Sequence, residues 1–291
     1  MSTAPATLPL HHRRAEGALF IAAAMWATTF PGMKWLFADR GLPLAQTMAL
    51  RFGIAVLLVV LWWPRSLRVR GHGRAWAGSL WLGFLLAVGF VAQGAGLFWT
   101  SASNSAFITS LYVVFVPILQ TLWLRRRPHG RTMMGLPLCF AGLLLLTRPW
   151  ESGFSPGDLW TLLCAFAFSV YIIELQRLSV GIDLGHLLLG QFIAVAALCL
   201  VGCLFEESTL SIAPLEWAVI VHLGVLCTFV ATLLQSRFQR DTTPTRAALL
   251  FMGEPVIAAL LAWGMRGEML GALGLLGAGL ILGGILVSES T

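Results

Sequence analysis

The chain has 291 residues, of which 58% are hydrophobic and only 11% charged, against about 25% charged in a soluble domain. So few polar groups cannot cover a folded surface in water, and a mean hydropathy of +0.83 makes the bilayer the natural solvent. The net charge of +6 sits on arginines in short clusters between apolar runs; that is the pattern of orientation-setting loops, not of a nucleic-acid surface, and nucleic acid is not expected as a partner.

The segment 1–16 is short and ends in a basic patch around Arg13 and Arg14. It resembles the start of a signal peptide. However, the apolar run behind it continues from Gly17 to about Phe37 without a clear cleavage site, which reads as a retained first span. Further runs follow at roughly 43–63, 76–98, 104–124, 131–147, 157–178, 184–205, 214–236, 243–265 and 270–287, each close to the ~20 residues that cross a bilayer as a helix. Strands of a barrel would alternate over about ten residues instead. The expected class is therefore an all-α integral membrane protein of ten transmembrane helices. With the N-terminus in the cytoplasm, fourteen of the 19 basic residues fall in cytoplasmic segments. Lys34, Arg40, Arg148 and Arg266 fall outside, and Arg51 lies within span two. This bias predicts that both termini are cytoplasmic.

The two halves repeat one pattern. "GALFIAAAMWATTFPGMKWL" from Gly17 aligns with "GDLWTLLCAFAFSVYIIELQ" from Gly157, so that Trp26 meets Phe166, Thr29 meets Ser169 and Lys34 meets Glu174. "GLPLCFAGLLLL" from Gly135 aligns with "GAGLILGGILVS" from Gly277, pairing Gly135 with Gly277 and Gly142 with Gly284. Between them Val116-Pro117 falls opposite Glu254-Pro255 at a somewhat different offset. The expected repeats are 17–147 and 157–287. Five spans per half is odd, so the second half must enter the membrane inverted, the architecture of many secondary transporters with a central cavity between the halves.

A resemblance follows from Trp26-Ala27-Thr28 in span one, Ala49-Leu50-Arg51-Phe52 in span two, "TSASNSAFITSLYVVFVP" (100–117) and "TTPTRAALLFMGEPV" (242–256). The chain resembles the drug/metabolite transporter superfamily in its EamA-like ten-helix branch, over nearly its whole length. The resemblance implies ten helices around a cavity and export or exchange of small metabolites. Within that branch it resembles the bacterial YddG-type amino acid exporters.

A charge at bilayer centre costs about 2.5–3.5 kcal/mol on insertion scales, so such residues face a cavity or a partner. Glu254 sits near the middle of span nine, directly before Pro255, whose missing N–H frees the Phe251 carbonyl and loosens the helix. Either it holds a substrate amine or a proton, or it braces the helix as a hydrogen-bonded acid. Lys34, the only lysine, binds a carboxylate or snorkels to the outer interface. Glu174 is three residues from Arg177 and can pair with it. Arg51 pairs with an acid such as Asp39 or caps carbonyls of a neighbouring helix. Gln93 and Asn104 are neutral polar candidates for the cavity, and Trp26, Tyr112 and Tyr171 are mid-span aromatics that could line it. Pro117 and Pro255 are candidate hinges. Trp62, Trp63, Trp123, Trp150 and Trp263 fall at interfaces, and Gly279 and Gly283 form a GxxxG pair suited to close helix approach.

The sequence has no GxxxxGK[ST], HExxH or GxSxG motif. Its five cysteines form no CxxC pair, and His186 and His222 are isolated. No enzyme activity, metal or cofactor is expected. The reading is an exporter of small metabolites, amino acids first, in the bacterial inner membrane, with membrane lipid around it and a monomer or homodimer as its state. Glu254 would take the amine, and Lys34 or Asn104 the carboxylate. The alternative on the same fold exchanges a proton for a lipophilic cationic drug.

Overall fold

The computed structural model describes residues 10–68, 73–151, 153–207, 211–266 and 271–289. Within them the chain is almost wholly helical, without strands, and its helices group into ten spans. Eight stretches, from Leu44–Trp62 to Pro244–Leu261, are long and apolar enough to cross a membrane; Ala272–Ser288 is a shorter apolar helix, and segment 10–39 supplies the first span. Helices are the outcome because hydrocarbon offers backbone groups no partner, and a helix satisfies them within one segment. The outer surface is correspondingly greasy: Leu57, Leu61, Trp62, Leu198 and Leu286 are exposed. Trp123 and Trp150 are also exposed, as residues of an interfacial belt are. Arg70 lies outside the described residues, and the side chains of Arg13, Trp263 and Arg266 outside the described side chains.

Helix starts are set by local chemistry. The hydroxyls of Ser101, Ser155 and Thr243 and the carboxylate of Asp183 each accept from a first-turn amide, satisfying donors that have no helical partner. Proline opens Pro156–Leu178, Pro214–His222 and Pro244–Phe251, where its missing N–H costs nothing.

Several spans are interrupted. Span one breaks at Thr28 and ends in a π-turn, Trp35–Asp39. Span eight carries a longer π-stretch, Leu223–Val230. Span four divides into Ala102–Thr109 and Tyr112–Trp123, and span nine into Pro244–Phe251 and Gly253–Arg266. The break in span nine comes at Met252, next to the carbonyl that Pro255 leaves without its donor. The break in span four comes at Ser110 and Leu111, while Pro117 sits inside the helix that follows. The first half-helices of spans four and nine are both eight residues long. Laying them end to end pairs Tyr112 with Glu254. This corrects the register read from sequence, which set Val116-Pro117 against Glu254-Pro255.

The contacts between halves obey a pseudo-twofold axis. Spans two and seven, four and nine, and five and ten pack on each other about the axis. Each other principal contact has its mate: one with eight and six with three, one with nine and six with four, two with eight and seven with three. Spans five and ten show the inversion most directly. A Cβ on Gly142 would stand 2.5 Å from the Gly277 carbonyl oxygen, and one on Gly135 2.5 Å from that of Gly284. The earlier glycine of one helix meets the later glycine of the other, so the helices run antiparallel, and the two contacts exchange under the repeat pairing. The close approach therefore uses Gly277 and Gly284. Gly279 and Gly283, the predicted GxxxG pair, have nothing within 4 Å of an added Cβ.

Gly142→Val is expected to lower stability by about 1–3 kcal/mol through overpacking, read as a fall in the thermal midpoint of the purified protein in detergent. Gly279→Ala, on the open face, should leave the midpoint in place.

Candidate functional site

A cavity of about 60 Å³ lies between the halves, lined from spans one, three, four, six, eight and nine. That set maps onto itself under the twofold. The volume admits a few waters, so the conformation is close to occluded. Seven of its lining side chains are aromatic, among them Trp26, Phe90, Tyr112, Tyr171 and Phe251. Its polar groups are Thr29, Gln93, Thr109, Thr232, Gln235 and Glu254. Continuing the half-helix register pairs Gln93 with Gln235, so the two amides of the cavity are repeat mates, as are Tyr112 and Glu254.

Glu254 is the one charged side chain among the described lining residues. It is 8% exposed and makes no hydrogen bond or ion pair among the described residues. It stands in the first turn of Gly253–Arg266, where the break has just released the chain from helix geometry. Gly253 allows this approach, since a Cβ there would lie 2.4 Å from the Phe20 ring. The Tyr112 hydroxyl is also buried and lacks a hydrogen-bond partner; neighbouring Ser110 gives its own proton to the Ala106 carbonyl at 2.7 Å. Tyr171, by contrast, donates to Gln191 Oε1 at 2.7 Å, and Gln235 donates to Gln239 at 2.9 Å. Gln93 reaches Thr109 only at 3.5 Å. Glu254, Tyr112 and Gln93 therefore retain unused bonding capacity towards the cavity, while Tyr171 and Gln235 are tied to the walls. Trp26 stacks edge-on to Phe251 at 5.2 Å and donates its indole N–H to the Cys227 carbonyl at 3.0 Å.

Lys34 and Asn104 do not line the cavity. The Lys34 ammonium donates to the carbonyls of Leu97 at 2.6 Å and Thr100 at 3.0 Å, capping the end of span three. Asn104 donates to Asp158 at 2.7 Å and Thr100 at 3.0 Å, and Thr100 donates to the same carboxylate at 2.8 Å. This cluster ties the start of span four to the start of span six. Its repeat mate is the pair Arg246–Glu16, 2.5 Å apart, which ties the start of span nine to span one. Glu174 pairs with Arg177 at 2.5 Å. Arg51 makes no ion pair with Asp39, which is exposed; its guanidinium meets Thr228 and the Cys227 carbonyl in the π-stretch of span eight. Pro117 lies on a lateral groove with Pro137, facing away from the cavity.

Thr29, Thr109, Thr232 and Gln235 line the cavity as well and are not among the candidates read from the sequence. Gln235 could have been found as the repeat mate of Gln93. Sequence reasoning also missed a cluster at the break in span one. There the Thr28 hydroxyl lies 2.9 Å from His222 Nε2 and 3.2 Å from Cys227 Sγ, and both Thr28 and Cys227 donate to the Met25 carbonyl.

The profile of the EamA-like transporter family matches the chain twice, over residues 13–148 and 155–289. Two proteins of Archaeoglobus fulgidus, each described as an uncharacterized transporter, are similar to it. One is 29% identical over 94% of this chain and 85% of its own length, the other 23% identical over 92% and 96%. A crystal structure sharing 18% sequence identity superposes with a TM-score of 0.78, covering 96% of this chain and 97% of the other, and supports the fold alone.

The two tyrosines should respond differently to loss of the hydroxyl. Tyr171→Phe leaves Gln191 unmatched and is expected to cost about 1–3 kcal/mol. Tyr112→Phe removes a hydroxyl without a partner and should leave the thermal midpoint in detergent unchanged or higher.

Proposed function

The chain belongs to the EamA-like transporter family, and on that premise we propose that it exports a small amine-bearing metabolite with an apolar body, neutral or aromatic amino acids first. Transport runs across the bacterial inner (plasma) membrane with both termini in the cytoplasm. The observation that carries the reading is Glu254: a buried carboxyl without a partner among the described residues, beside a helix break, in a cavity with seven aromatic walls. An ammonium suits both features, because a carboxylate pairs with it and aromatic faces attract it. Broken helices at corresponding positions of inverted halves mark the substrate site in other transporters, and spans four and nine break at corresponding positions here. The resemblance to YddG-type exporters points to the same substrates.

Rocking of the repeats 17–147 and 157–287 would expose the cavity to either side in turn. The two repeat-related clusters suit the gates. Asn104–Asp158–Thr100 would hold the outer side closed, and Arg246–Glu16 the cytoplasmic side. Both are formed in this conformation, in keeping with its narrow cavity. Glu254 and Tyr112 stand between them at the two breaks, where a bound ligand would touch both halves.

A second reading, proton exchange for a lipophilic cation, draws on the absence of any basic side chain among the described lining residues. A proton ionophore would abolish that activity in proteoliposomes, whereas amino acid counterflow would persist.

Glu254→Gln is expected to reduce counterflow of labelled phenylalanine by about a hundredfold, the cost of losing a charged hydrogen-bonding partner; wild-type rates in this variant would overturn the site. For the gates, Thr29→Cys in a background lacking the native cysteines reports access to the cavity. Glu16→Gln should increase its labelling by an impermeant thiol reagent from the cytoplasmic face, and Asp158→Asn from the opposite face. Equal labelling from both faces in each variant would remove the gating roles.

A further inference from the structure

Arg51 leads the fully buried side chains in size, and the site described above does not use it. Its guanidinium stays charged, yet none of the ion pairs among the described residues includes it. Its Nε donates to Thr228 Oγ1 at 2.5 Å. Its other partners are neutral: Met33 sulfur at 3.3 Å, the Cys227 carbonyl at 3.5 Å, and the rings of Phe52 and Phe90 at 5.7 Å and 4.8 Å. A buried cation without a counter-ion is costly, and holding the π-stretch of span eight does not require one. The repeat supplies the comparison. The backbone carbonyl of Arg51 lies against Gly224 of span eight, and that of Gln191 against Gly83 of span three. A neutral amide occupies the mate position, and the fold accepts it.

The guanidinium carbon lies 4.8 Å from the centroid of Phe90, and Phe90 lines the cavity. Phe90 therefore adjoins both the cavity and a positive charge that pairs with no acid among the described residues. Phe90 packs on Phe168 at 5.2 Å, forming a wall distinct from the one where Trp26 and Tyr112 pack on Phe251 near Glu254. We infer that Arg51 supplies the positive pole of the binding site, and that the substrate is a zwitterion whose carboxylate lies towards Phe90 while its amine lies towards Glu254. This rests on the transporter reading and sharpens it. Attraction across one aromatic side chain acts more strongly in a low-dielectric wall than in water. The pair Arg51 and Glu254 gives the site no net charge, which matches a zwitterion, and Arg51 repels a bare cation.

The test compares L-phenylalanine with phenethylamine, the same body without the carboxylate, as labelled probes in counterflow with full-length protein in liposomes. Wild type is expected to move phenylalanine about tenfold faster. Arg51→Gln should bring the ratio to about one, while Arg51→Lys, which keeps the charge, should preserve it. An unchanged ratio in Arg51→Gln overturns the inference. Should Arg51→Gln fail to fold, the wild-type and Arg51→Lys ratios decide, and a phenethylamine preference in either overturns it. Equal movement of both probes by wild type overturns this inference alone; movement of neither overturns the amine-substrate reading with it.

Discussion

Inside hydrocarbon a backbone amide or carbonyl has only the protein to bond with. Apolar runs of about twenty residues must therefore be helices, and a helix can break only where protein or enclosed water receives the groups set free. The breaks in spans four and nine meet this condition because each opens onto the cavity shared by the halves. The first half-helices end at Thr109 and Phe251, and both residues line that cavity. Polar function is confined to the interior by the same rule that makes the exterior uniform.

The pseudo-twofold axis relates the two halves of the interface. A sequence that packs on an inverted copy of itself places each interface element twice, once near each membrane face. The Asn104–Asp158 cluster and the Arg246–Glu16 pair are one such doubled element, with different chemistry in the two copies. Arg51 and Gln191 are another, and Tyr112 and Glu254 a third. In each case the scaffold is kept and one copy is charged where the other is neutral or weaker. The fold is symmetric while the charge is not, and direction and selectivity can both be built from that difference. Glycine makes the axis close: Gly135 and Gly142 against Gly277 and Gly284 bring spans five and ten into backbone contact, where dispersion between closely packed helices replaces the hydrophobic drive that lipid does not provide.

Much of this was legible in the sequence, for physical reasons. The spans were, because run length and charge bias follow from bilayer thickness and topology. Gln93 and Glu254 line the cavity because polar groups at depth are costly elsewhere, and the mid-span aromatics Trp26, Tyr112 and Tyr171 line it with them. Lys34 and Asn104 were expected there too, since depth along a helix is readable and rotation about its axis is not. Their partners are backbone carbonyls, the Thr100 hydroxyl and the Asp158 carboxylate in the first turn of span six, which leave no mark at the sequence positions themselves. The register between Tyr112 and Glu254 was obscured by the prolines, which sit at unequal distances from the two breaks. Gly279 and Gly283 satisfied a motif that counts spacing and ignores which face meets a neighbour.

The two halves enter the membrane in opposite senses. The turns after spans one and six carry corresponding glycines with positive φ, Gly41 at 67° and Gly181 at 81°, and inversion sets them on opposite sides of the bilayer. Replacing each with cysteine, in protein lacking the native thiols, and adding a membrane-impermeant maleimide to intact cells measures this directly. Labelling at position 41 alone, with position 181 reacting only after permeabilisation, is the predicted result. Labelling of both in intact cells would contradict the inverted architecture and the cavity built on it.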